Sequence, residues 1–346
     1  MADFAAVLSV VLLAVHLLAM NVPSAAPLVC VWLHGRGRCG DHAADAVGRQ
    51  LAEVSLWSLL IGTLLGAILI ALLWAADDRG YWNALERFPA RAYGFALGEL
   101  AFTAACLILY VAMWDRWRGR PRLLAFVALL ATTNLLYHFP PLMVVIGNLA
   151  SRPELVQADV VTRPVFRDLL VRPDLLAQVL HFIIASVAVA GIALMLFARR
   201  YQTMSQPGEP VDRLIAAGAR VALVATLTQL AVGVWVLVQL PGVGRTALLG
   251  DDWLAGTMFF LSVLATFGVL HALAAVALGD TRGVAVRRAA VLMLTVVVLM
   301  TGTLTRARTI EAANSRRATL AGNARCLSVA VFPFAKSRRC DEFPGT

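Results

Sequence analysis

Six side chains that can bind metal or carry protons stand inside long apolar stretches: His16, Glu99, His138, His181, Met258 and His271. Ionisable groups in an apolar span are costly and usually mark function. Imidazole or thioether groups on facing helices supply axial ligands to a haem iron. A carboxylate in the same layer suits proton transfer. The plain alternative for each histidine is a hydrogen bond that ties two helices together. For Glu99 it is an ion pair with a surface arginine such as Arg91. His34 and His42 read as solvated loop residues. No HxxxH or ExxH pair falls within one span, which argues against a di-iron carboxylate bundle. No CxxCH occurs, which argues against covalent c-type haem.

The elements that position these groups are membrane-spanning helices. Of 346 residues, 60% are hydrophobic and only 15% are charged, and the mean hydropathy is +0.77. A water-soluble domain of this size needs more charge at its surface. Stretches near the 20 or so apolar residues that cross a bilayer occur at about 4–33, 55–76, 95–114, 122–147, 174–198, 213–240, 253–279 and 284–304. The expected fold is therefore an all-α polytopic bundle of about eight helices over 1–304, followed by a polar tail over 305–346. Pro23 and Pro27 predict a kink in the first span, and Pro140-Pro141 predict a kink or stop in the fourth. Residues 307–321 read as a short helix within the tail. Arg220 is expected to snorkel to the interface.

The chain carries 30 Lys and Arg against 21 Asp and Glu, a net charge of +9. The basic residues are scattered over loops and tail, which argues against nucleic-acid binding and for contact with lipid headgroups. With the N-terminus outside, the inner loops hold thirteen arginines and the outer loops eight. The positive-inside bias thus favours an external N-terminus, although the tail, with eight Lys or Arg, would then also lie outside. Met1–Asp3 lacks a positive segment, so the first helix is expected to be retained rather than cleaved. Cys30 and Cys106 read as core fillers. Cys326 and Cys340 can pair if the tail meets an oxidising compartment. In this orientation His16, Glu99, His138, His181 and Met258 all fall in the outer half of the membrane, and His271 lies deeper.

Four stretches carry a resemblance to subunit I of cytochrome bd oxidase. In 172–199, RPDLLAQVLHFIIASVAVAGIALMLFAR, Pro173 precedes His181 by eight residues, as in the family helix that provides an axial ligand to the low-spin haem b. In TTNLLYHFPPLM, 132–143, Asn134 and Pro140 keep the family spacing, with His138 where the family has other residues. The third stretch runs from Glu99 to Trp114-Asp115-Arg116, similar to a family helix with carboxylates near the haems and a Gly-Trp-Asp-Arg ending; Met113 replaces the glycine. In the first span His16 precedes a small-residue stretch, like the family ligand of a high-spin haem.

The resemblance implies two or more b haems with room for a further one, quinol as a candidate substrate, and a bacterial inner membrane with the haems toward the periplasm. His16, His181, His138 and Met258 are the implied iron ligands, with Asn134 beside the cofactor and Glu99 carrying protons. A second membrane subunit is implied, and c-type cytochrome subunits are candidate partners. The stretch between spans six and seven, about 241–252, is much shorter than the family's quinol-oxidation loop. This favours an electron-transfer subunit of a larger respiratory complex over an oxygen-reducing quinol oxidase. A reading from another class is a haem-free transporter or structural subunit.

Overall fold

The computed structural model describes residues 2–75, 78–204 and 209–331, with side chains over 6–75, 78–204, 211–318 and at 320. Among the described residues the chain is all-α. Its helices are α1 (Ala2–Arg38), α2 (His42–Ala75), α3 (Arg79–Glu86), α4 (Ala90–Ala112), α5 (Pro121–Ser151), α6 (Arg163–Leu170), α7 (Pro173–Met204), α8 (Glu209–Gln239), α9 (Gly242–Thr246), α10 (Trp253–Ala277) and α11 (Gly283–Val331). Eight are long and apolar enough to cross a membrane: α1, α2, α4, α5, α7, α8, α10 and α11. These are the eight spans expected from hydropathy.

Lipid offers no hydrophobic drive between helices, so close packing must hold the bundle. Small residues provide it. A Cβ at Gly191 of α7 would lie 2.7 Å from the Gly218 carbonyl oxygen and the Ala222 nitrogen of α8. The two backbones therefore touch where both residues are glycine. A continuous core of Leu51, Leu107, Tyr110, Leu124, Leu194 and Leu273 runs through the bundle. A second cluster, with Phe88, Ile146, Leu149, Val161 and Leu175, seals the face that bears the N-terminus, where α3 and α6 lie. Exposed Trp57, Trp74, Phe102, Phe126, Trp253 and Phe267 cover the outer surface, as expected of a lipid-facing belt.

Three local expectations change. Of the kink or stop expected at Pro140-Pro141, the stop does not occur, and α5 runs on to Ser151. The prolines leave the carbonyls of Leu136 and Tyr137 without their usual helical donors, yet both prolines are buried against neighbouring helices. The helix expected at 307–321 is not separate, because α11 runs unbroken from Gly283 to Val331. His34 is not in a solvated loop. It lies in the last turns of α1, 2% exposed, with its ring 4.9 Å from that of Trp114. The candidate pairing of Cys326 with Cys340 lies outside the described side chains.

Trp114 explains why the Trp-Asp-Arg ending is where it is. It is buried at the end of α4 and donates from Nε1 to Asp45 at 3.1 Å. Arg118 pairs with the same carboxylate, and Arg49 reaches Asp115 at 2.6 Å. Gly48 leaves room for the indole, since a Cβ there would lie 2.9 Å from it. This motif clamps α2 to α4 on the face opposite the N-terminus.

Candidate functional site

His16 projects from α1 toward two glycines of α2. Its Nδ1 lies 2.8 Å from the Gly62 carbonyl oxygen. A carbonyl only accepts, so Nδ1 carries the proton and Nε2 keeps its lone pair. A Cβ at Gly66 would stand 3.0 Å from His16 Cε1, so glycine makes space for the ring. A metal-ligating histidine typically donates its second ring nitrogen in this way, which fixes tautomer and orientation.

His181 projects from α7 toward α8. Gln229 donates from Nε2 to His181 Nε2 at 3.1 Å. The imidazole proton then sits on Nδ1, which is buried without a partner. Leaving such a group unmet costs on the order of 1–3 kcal/mol. Gly233, one turn beyond Gln229, faces the ring, and a Cβ there would be 3.6 Å from Cε1. An iron-ligating role would take the Nε2 lone pair that Gln229 caps, so a swing of one carboxamide opens it. Each histidine sits opposite a glycine, and each has Nε2 deprotonated; at His16 that lone pair is uncapped, and at His181 Gln229 occupies it.

His138 and Glu99 meet each other instead of a shared metal. His138 Nε2 lies 2.7 Å from Glu99 Oε1, joining α5 to α4. Glu99 Oε2 is buried without a partner. Asn134 fixes the backbone behind them by donating to the Glu99 carbonyl and to Thr103 Oγ1, both at 2.8 Å. Tyr137 and Phe95 present their rings to the His138 ring at 4.7 and 5.3 Å and are themselves exposed. Glu99 therefore has His138 as its partner rather than Arg91. The pair joins an acid and a base that can share one proton.

Met258 packs its methyl group against Gly302 of α11, near Val10 of α1. His271 is exposed on α10. Neither is brought to His16 or His181 by a contact in the structure. Among the described residues no three His, Cys, Asp or Glu converge on one point.

Sequence reasoning missed the polar set at the N-terminal face. Arg152 reaches Asp174 at 3.1 Å, and Arg172 reaches it at 3.2 Å. Asn148 donates to Gln178 at 3.1 Å, and Arg308 of α11 donates to the same Gln178 oxygen at 3.2 Å. Gln178 lies one turn before His181. Gln229 was also missed, although a lone glutamine inside an apolar span is itself a signal.

No protein-family model matches the chain, and no curated protein matches it.

Proposed function

We propose that the chain is a haem b-containing electron-transfer subunit of a respiratory complex, similar in kind to subunit I of cytochrome bd oxidase. Its setting is a bacterial cytoplasmic membrane, with the N-terminus and the ligand sites on the periplasmic side. It moves electrons between quinol, or a periplasmic cytochrome, and an acceptor, beside a second membrane subunit. Bound haem b supplies a one-electron iron couple.

The observation that carries this reading is the His16 Nδ1–Gly62 hydrogen bond, which leaves Nε2 as a free lone pair inside a membrane helix. The protein's own residues hold and orient the rings. Gly62 sets the His16 tautomer, Gly66 and Gly233 keep space beside the two imidazoles, and Gln229 guards His181. The Glu99–His138 pair accepts and releases a proton at the lipid-facing surface. A reduced-minus-oxidised absorption spectrum with pyridine haemochrome quantitation tests the reading.

A second reading is proton translocation or scaffolding without haem. It draws on the Glu99–His138 pair, which can exchange a proton with no metal present. Haem content separates the two.

A further inference from the structure

We infer that the face opposite the N-terminus carries a binding site for the phosphate of an anionic phospholipid, in a pocket between α1, the start of α8 and the α10–α11 turn. The pocket has a volume of about 470 Å³. Arg213, Ala216, Ala217 and Arg220 line it from α8. This i, i+3, i+4, i+7 spacing puts them on one helix face, with the two arginines about 10 Å apart along the axis. The two alanines between them leave the helix open to a headgroup. Arg36 lines the pocket from α1, with its guanidinium 5.4 Å from the centre of the Trp32 ring and paired with Asp41 at 2.8 Å.

Arg220 carries the preference for an anion. Arg220 is exposed and donates to the Ala277 carbonyl at 3.3 Å, and among the described residues it forms no ion pair. Its remaining N–H groups point to a fork-type acceptor such as phosphate. The lining carboxylate, Asp212, uses Oδ1 to accept from Thr281 at 2.6 Å and from Gln202 at 3.0 Å. Neutral donors hold that oxygen.

The depth favours a lipid over a free anion. Trp32 ends the apolar run of α1 and is 42% exposed, as expected of an interfacial tryptophan. One turn deeper, Leu28 on α1 and Val224 on α8 are exposed and apolar. A headgroup among the arginines would lay its acyl chains along these residues, whereas inorganic phosphate gains nothing from them. Basic pockets between helices at the headgroup level are suited to acidic lipids.

The test is native mass spectrometry of the purified full-length chain with dioleoyl phosphatidylglycerol, with dioleoyl phosphatidylcholine and with inorganic phosphate. Phosphatidylglycerol should bind at least about fivefold more tightly than phosphatidylcholine, the scale expected of one arginine charge at a membrane surface. R213Q/R220Q should lose at least that factor. R282Q, whose arginine pairs with Asp280 outside the pocket, should keep the parent affinity. If R213Q/R220Q is not recovered folded, R220Q alone is read against the same three probes. Unchanged phosphatidylglycerol affinity in the pocket variants would overturn the assignment. So would full displacement by millimolar phosphate, which would make this a simple anion site.

Discussion

The Nδ1 atom of His16 lies 2.8 Å from the carbonyl oxygen of Gly62 on the neighbouring helix. That one bond decides which ring nitrogen is protonated, and it leaves the lone pair on Nε2. Gly66 is the second half of the arrangement, because any side chain there meets the ring. We expect Gly66→Val to displace the imidazole and to remove the same haem signal as His16→Ala, with helical circular dichroism retained in both. Absorption spectra of the two purified variants check this.

The Glu99–His138 pair should behave as a unit. Glu99→Leu leaves His138 Nε2 without its partner in a largely apolar setting, at a cost on the order of 1–3 kcal/mol. Adding His138→Phe should recover much of that loss, a coupling read from a double-mutant cycle of unfolding in mixed micelles. Glu99→Gln should keep the haems and slow proton-coupled turnover. Normal turnover in that variant would make Glu99 structural.

Asp174 is 8% exposed and holds Arg152, whose side chain is only 12% exposed. Removing the carboxylate takes away that guanidinium's ion-pair partner and leaves it the Asn148 side-chain oxygen. Asp174→Ala should destabilise the fold by about 3 kcal/mol. Arg172→Ala should change little, because Arg172 is half exposed and screened. Thermal unfolding of the two variants separates these outcomes.

Asp252 caps α10 by accepting from the Ala255 N–H at 2.9 Å and pairs with Arg306 at 2.7 Å. The Arg306 hydrogen bond, then the Ala255 N–H, holds its carboxyl below the usual carboxylate range. A group with a lowered folded-state pKa stabilises the fold above its unfolded pKa and loses that contribution as pH falls through the folded value. Stability should therefore decline on the acid side of the ordinary carboxylate range. Asp252→Asn should flatten that part of the pH profile and leave the neutral-to-basic part unaltered in shape. A series of melting curves across acid pH reads the difference.

Gly191 and Gly218 let α7 and α8 touch through their backbones. Gly191→Leu must push the helices apart, at about 3 kcal/mol or more for such overpacking. It should also shift Gln229 from His181, since both lie on these two helices. Crosslinking between cysteines placed on α7 and α8 would report the separation.

The eight spans were legible because length and hydropathy alone define a membrane helix. What one window of sequence cannot contain is the partner across the bundle. His34 stands in a Gly- and Arg-rich stretch that reads as loop, yet Trp114, eighty residues on, buries it. Hydropathy falls after Thr305, so Arg308 and Glu311 read as tail, yet α11 continues and lays Arg308 against Gln178. Pro140-Pro141 read as a kink or a stop because local rules see two missing donors and not the surroundings that bury both rings. The pairing of Glu99 with His138, and the roles of Gly62, Gly66, Gln229 and Gly233, required the folded chain.

The most direct measurement is the reduced-minus-oxidised absorption spectrum of the purified protein, with haem quantified as the pyridine haemochrome. The proposed function predicts a b-type spectrum with two or more haems per chain, and loss of a low-spin signal in His181→Ala. A fully folded chain without haem, or an unchanged spectrum in His181→Ala, would contradict it.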